Sequence, residues 1–333
     1  MSMTAQAIDL HAHWLPNVVA QALRQRSGQV PRIDTLSDGS ERQVMPIGTL
    51  NFGVNYTAGA QRLAHMAQSG VSKQMLSLPG LFGIDSLPLD QSAPLVRIFN
   101  DACAGLCQAH PERFCGLAAL PWVDLDAAVA ELRRARLELG LLGAILPVDA
   151  FRSEASAARL LPLFEAAEDL GAHFFVHPRC MPKSENLLMV EPDHELARRA
   201  LAVQHDLGQA MVTLLLSDFL RPWRNITVQV AHLGGTFAAV VERMDQSLSL
   251  RGPTGTIPSS RFRSVWVDCA SLGPKALEQA VSVFGADRVV LGTDCPIFDT
   301  EQTLSGIRRS RLSVADQALI LHDNAAALLA RLA

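Results

Sequence analysis

The residues with the most chemistry to offer are histidines, and the first two stand together. The run Ile8-Asp9-Leu10-His11-Ala12-His13 is short and apolar and ends in two imidazoles one residue apart. Alternate side chains of a strand project to one face, so His11 and His13 would lie within reach of a single ion. Neutral imidazole is the commonest protein metal ligand, and two such nitrogens make half of a tetrahedral zinc site. Similar apolar runs end in three further polar residues. They are His177 in Phe174-Phe175-Val176-His177-Pro178, His232 in Val230-Ala231-His232-Leu233-Gly234-Gly235, and Asp294 in Leu291-Gly292-Thr293-Asp294-Cys295-Pro296.

What these residues can do together depends on the elements that carry them. Eight β-rich apolar runs recur: Ile8–His13, Lys73–Leu78, Phe114–Leu120, Gly143–Pro147, His173–Pro178, Thr227–His232, Ser264–Ser271 and Val289–Pro296. Amphipathic segments such as Asp124–Leu139 and Ala157–Leu170 lie between them. In the first of these, Leu125, Ala128, Val129, Leu132, Ala135 and Leu139 recur at helical spacing. Apolar strands alternating with helices imply a parallel sheet covered on both faces. Eight such units in 333 residues predict one (β/α)8 TIM barrel over residues 1–333. A doubly wound open sheet is the alternative, weakened by the lack of a glycine-rich phosphate loop after the first strand. The C-terminal ends of all barrel strands open on one face, where active sites sit. That face would gather His11, His13, His177, His232 and Asp294. The other histidines do not share this placement: His65, His110, His194, His205 and His322 fall in helical or loop patterns, and His173 begins its strand at the opposite end.

Two segments interrupt the alternation. Residues 17–57 are too long for a simple connection, and Asp38-Gly39-Ser40 makes a turn between Arg32–Leu36 and Glu41–Pro46. They predict a small β-hairpin insert over the barrel mouth. The long crossover Arg179–Asn225 carries the apolar stretch Met211–Leu216, suited either to packing on the barrel or to a subunit interface. A formal net charge of -4 leaves no basic footprint for nucleic acid. The six cysteines are scattered without a CxxC pair, which suits reduced thiols. Neither a secretion signal nor a membrane-length apolar run is evident, so a cytoplasmic protein is expected.

Taken in order, these motifs resemble the amidohydrolase superfamily, in its amidohydrolase-related family 2, the branch of 2-amino-3-carboxymuconate-6-semialdehyde decarboxylase. The resemblance rests on Asp9–His13, Met66–Ser77, His110-Pro111-Glu112-Arg113-Phe114, Phe175–Pro178, Ala231–Gly235 and Gly292–Pro296, and covers nearly the whole chain. It implies a single divalent ion, zinc by expectation, on His11, His13, His177 and Asp294. It also implies a catalytic histidine off the metal, His232. Several aromatic-acid decarboxylases of this branch have glutamate at the position of His11. The two-metal members commonly bridge their ions with a strand-four lysine, absent from Gly143-Ala144-Ile145-Leu146-Pro147, so a mononuclear site is expected. Two family arginines that hold a substrate carboxylate, one across a dimer interface, correspond to Arg243 and Arg251. These arginines are otherwise read as solvated side chains. Arg179 replaces an aromatic residue and is a candidate substrate contact; Arg42 lies near the position of another family arginine.

The chemistry follows from the residue types. Zinc lowers the pKa of a bound water from about 15.7 toward 7, and a histidine beside it, with an ordinary pKa of about 6.5, can take or return a proton. Arginine forks match carboxylates bidentately. The first expectation is a non-oxidative decarboxylase of an unsaturated or aromatic carboxylic acid, with a catalytic His232, Asp294 in a double role, and a homodimeric assembly. The alternative is a hydrolase or hydratase of a lactone, ester or ring-cleavage product. A metal-binding barrel without catalysis is disfavoured, because coordination gives His232 no duty.

Overall fold

The computed structural model describes residues 6–46, 48–53, 56–179, 198–250, 260 and 262–332. Arg251, His194 and Cys180 lie outside the described residues. The strands are β1 (Ala7–His13), β2 (Arg32–Thr35), β3 (Glu41–Met45), β4 (Gly48–Phe52), β5 (Val71–Ser77), β6 (Phe114–Gly116), β7 (Gly143–Pro147), β8 (His173–His177), β9 (Thr227–Val230), β10 (Trp266–Asp268) and β11 (Val289–Val290).

Parallel ladders join β1, β5 and β6 in one sheet and β7 through β11 in another. Two seams complete the circle. At one, Ala118 N donates to Gly143 O (2.8 Å) and Ile145 N to Ala118 O (3.0 Å). At the other, Leu10 N donates to Leu291 O (2.8 Å) and His13 N to Cys295 O (2.7 Å). The eight parallel strands thus form the expected barrel, with a parallel bridge at each seam. Every residue of β7 and β8 is buried, as their unbroken apolar runs require of strands covered on both faces.

The helices outside are amphipathic for the anticipated reason. Asp124 accepts from Ala127 N and caps the helix Leu125–Leu137, which buries Ala128, Leu132 and Ala135. Burying a leucine of this kind stabilises by about 1.5–3 kcal/mol. The segment expected as one helix over Ala157–Leu170 is two, Glu154–Ala158 and Leu161–Leu170. Pro162 explains the break: its ring suits the first turn of a new helix and obstructs an interior. In the long crossover, the helix Val203–Leu216 buries Leu207, Ala210, Met211, Leu214 and Leu215, so much of its apolar centre is core. Among the described residues no helix is long and apolar enough to cross a membrane.

The insert contains the expected hairpin, β2 against β3, and extends it. After the helix Asn17–Arg24 come three antiparallel strands, β2-β3-β4, where two were expected. The third, Gly-Thr-Leu-Asn-Phe, has little strand pattern of its own and forms by pairing along β3, from Met45 with Gly48 to Glu41 with Phe52. Arg24 ties the helix to the sheet through both Glu41 oxygens (2.5 and 2.8 Å). The chain then returns to Tyr56, whose carbonyl accepts from Leu15 N at 3.0 Å, just past the C-terminal end of β1.

Candidate metal centre

Alternation along β1 turns Asp9, His11 and His13 inward, and β8 turns His173, Phe175 and His177 the same way. His232 and Asp294 come two and four residues past the ends of β9 and β11. Both have left-handed backbones, with φ of 52° and 58°. Among the described residues the only other non-glycine residues with positive φ are Leu233 and Ser271, and Ser271 hydrogen-bonds His232. Such backbone strain persists only where the surroundings over-determine it. Here it turns side chains into the mouth that a continued strand would have aimed elsewhere.

Four buried side chains converge. Nε2 of His13 lies 3.3 Å from Nε2 of His11 and 3.2 Å from Nε2 of His177. Asp294 Oδ1 is 3.1 Å from His13 Nε2 and 3.5 Å from His11 Nε2. A zinc ion with bonds of about 2.0–2.1 Å in tetrahedral coordination separates its ligands by about 3.3–3.4 Å.

The outer hydrogen bonds settle which atoms face inward. His177 Nδ1 meets the carbonyl of Pro178 at 2.7 Å, and a carbonyl only accepts, so that nitrogen carries the proton and Nε2 a bare lone pair. His11 Nδ1 faces Asp268 Oδ1 at 3.0 Å with the same consequence. His13 Nδ1 lies 3.0 Å from Ser77 Oγ. The Asp294 Oδ1 atom is buried and has no hydrogen-bond donor. Lone pairs aimed at one another at these separations call for a cation between them, and the donor set fits a divalent ion.

Burial alone would lower His11, but the carboxylates of Asp268 and Asp294 hold it up at about 10, so the site draws positive charge, either as a second proton on this ring or as a cation in that proton's place. Burial outweighs the Asp294 carboxylate at His13 and lowers it, and at His177 burial together with His13 and His11 lowers the ring well below its ordinary value. The Asp294 carboxyl lies well below the usual carboxylate range: burial opposes this, but His11 and His13 prevail.

His232 stands apart from the four. Its Nε2 is 4.0 Å from Asp294 Oδ2, and its Nδ1 donates to Ala270 O at 3.1 Å, with Ser271 Oγ at the same distance. Burial first, then the charge of His11, lowers its pKa. The result is a neutral imidazole with a free basic nitrogen beside the ligand cluster.

A model of the amidohydrolase family matches residues 8–331. The chain belongs to that family. This amidohydrolase is 29% identical over 241 residues to a 2-amino-3-carboxymuconate-6-semialdehyde decarboxylase of Dictyostelium discoideum, a match covering 71% of this chain and 66% of that protein. It is 26% identical over 286 residues to a gamma-resorcylate decarboxylase of Rhodococcus jostii, covering 80% of this chain and 86% of that one. Among solved structures, an IDCase of Metarhizium anisopliae superposes with a TM-score of 0.81 at 17% identity, over 98% of this chain and 97% of that one. A dihydroxybenzoic acid decarboxylase of Polaromonas with bound manganese gives 0.74 at 21% identity, over 98% and 97%. The structural likenesses establish the barrel fold.

Not every expected site residue of this amidohydrolase joins the cluster. Arg179 lies at the mouth, but its Nε and Nη2 are donated to Asp149 (2.6 Å each) and its Nη1 to Ser86 Oγ (3.1 Å). Arg243 is exposed on the helix Phe237–Ser249, and Arg42 is exposed on β3. Arg251 falls outside the described residues. Two buried groups that matter escaped the sequence reading. Asp268 accepts from His11 Nδ1, His232 N (3.2 Å), Ala270 N (3.1 Å) and Gln229 Nε2 (2.9 Å). Its signal was an acidic residue within the seventh apolar run. Arg62, on the helix Gly59–Ser69, is buried; its Nη2 donates to the His13 carbonyl and its Nη1 to Gln74 Oε1 at 3.2 Å.

Proposed function

We propose that this chain is a metal-dependent non-oxidative decarboxylase of an aromatic or unsaturated carboxylic acid. It would hold one zinc ion on His11, His13, His177 and Asp294 and use His232 as the acid/base. The observation that carries this reading is the separation of roles at the mouth. Four ligating atoms converge within 4.8 Å of one another, while His232 keeps its own hydrogen bond and a free Nε2 beside them. The nitrogen-rich donor set favours zinc, whereas carboxylate-rich sites suit manganese.

When bound, the ion would supply Lewis acidity toward the oxygens of an acid substrate. The protein's own groups supply the rest. In such a reaction a proton adds at the carbon bearing the carboxylate; the carbon–carbon bond electrons then return to the ring or diene as carbon dioxide leaves. His232 Nε2, kept basic by the Nδ1–H donated to Ala270, would hold and hand over that proton. Asp294 serves twice, with Oδ1 toward the ligand cluster and Oδ2 toward His232. The substrate's anionic groups would be held by arginines: Arg179 in the mouth, shared with Asp149, and Arg243 and Arg251, one of them contributed across a homodimer interface.

The test is carbon dioxide release from a panel of hydroxybenzoates and muconate-type acids, run with metal content measured on the same preparation. Release from at least one acid, dependent on about one zinc per chain, is the expected result. Opening of lactones or esters with no carbon dioxide from any acid would replace this reading with the hydrolase.

A further inference from the structure

Beneath the ligands the barrel interior carries a line of polar side chains for which the proposed reaction has no use. Register places His173 beside Thr227 and Phe175 beside Gln229, and both His173 and Gln229 are fully buried at 0% exposure. A buried amide is oriented by its partners. Gln229 Nε2 faces two groups that only accept, Leu10 O at 3.2 Å and Asp268 Oδ2 at 2.9 Å. Its oxygen is therefore turned away from both of them. Gln229 Oε1 and His173 Nε2 are both buried and neither makes a hydrogen bond; the His173 ring is held from its other side, where Nδ1 meets Thr227 Oγ1 at 2.7 Å.

We propose that Gln229 is a positioning residue that fixes the His11 lone pair from beneath the ligands. The chain runs from Gln229 Nε2–H to Asp268 Oδ2 and from His11 Nδ1–H to Asp268 Oδ1. The proposal rests on the metal reading above. Each link has a direction. A flipped Gln229 would set its carbonyl against the Asp268 carboxylate and the Leu10 carbonyl, three acceptors with no donor among them. Without Gln229, Asp268 Oδ2 loses its donor, the carboxylate is freer to turn, and its hold on His11 Nδ1 slackens. The His11 tautomer with the proton on Nε2, which cannot ligate, then gains population. Packing alone does not account for the arrangement, because apolar side chains would fill the same interior without the cost of burying polar groups.

The experiment measures metal affinity by chelator competition on wild type, Gln229→Met and His173→Leu, with the melting temperature of each metal-free protein alongside. Outer partners of metal-ligating histidines are typically worth about 10–100-fold in metal affinity, and Gln229 acts one hydrogen bond further out, so Gln229→Met should weaken binding by about tenfold. His173→Leu, which removes a buried ring bonded to neither Asp268 nor His11, is the control and should bind within about twofold of wild type. If Gln229→Met binds the ion within about twofold of wild type, or if His173→Leu weakens binding as much as Gln229→Met does, the amide only fills space and the proposal is overturned. A wild-type protein that binds no divalent ion would overturn the metal reading itself, a distinguishable failure. Should His173→Leu not fold, Gln229→Met, close in volume to the native residue, decides alone.

Discussion

Removing the His232 side chain separates chemistry from coordination. Its Nε2 stands 4.0 Å from Asp294 Oδ2 and is not among the four converging atoms, so His232→Ala should retain about one ion per chain. The deletion frees the Ala270 carbonyl from its Nδ1–H donor, although Ser271 Oγ lies close to the same place. Losing one buried hydrogen bond costs about 1–3 kcal/mol, a measurable but survivable drop in stability. Turnover should fall by about 10²–10⁴-fold, the usual worth of a positioned proton-transfer group, or about 2.7–5.4 kcal/mol in the barrier. His177→Ala makes the contrast. It removes a converging Nε2 and the donor to Pro178 O, so metal content should fall with activity. Elemental analysis, melting temperature and carbon dioxide release on the same preparations decide the matter. A metal-free His232→Ala protein would move that residue among the ligands, and a folded, loaded variant with wild-type turnover would remove it from the chemistry.

Two further outcomes follow from single side chains. Burial pushes the Asp85 carboxyl up to about 6, against the attraction of Arg179, so the folded chain holds that proton more tightly than the unfolded one. Stability should therefore fall as pH rises from about 4 to about 6, and Asp85→Asn should flatten this trend and gain up to about 3 kcal/mol at neutral pH in denaturant melts, an unchanged slope refuting the assignment. Gly292 leaves no room for a side chain: a Cβ there would come within 2.7 Å of His11 Cβ and 2.8 Å of Asp268 Oδ1. Gly292→Ala should displace His11 and weaken metal binding by about tenfold or more, measured by the same chelator competition.

How far the sequence reaches is set by which contacts are local. The barrel was legible because each strand announces itself by an apolar run, and parallel closure then places every C-terminal strand end on one face. That rule alone brought together His11, His13, His177, His232 and Asp294 from positions 283 residues apart at the extremes. The third insert strand was not legible, since Gly48–Phe52 becomes a strand only through its neighbour Glu41–Met45. Arg179 looked free because nothing in its vicinity in sequence reveals Asp149, thirty residues earlier and paired to it across two strand ends. His173 is the instructive case. Its position at the start of β8 excluded it from the mouth correctly, and the inward parity it shares with His177 buried it in the barrel interior, where its Nδ1 meets Thr227 Oγ1 at 2.7 Å. Strand ends tell which residues can meet a substrate. Strand parity tells which residues can hold the first set in place, and that second rule, applied to Asp268 in the seventh run, would have found the group that supports both His11 and the backbone of His232.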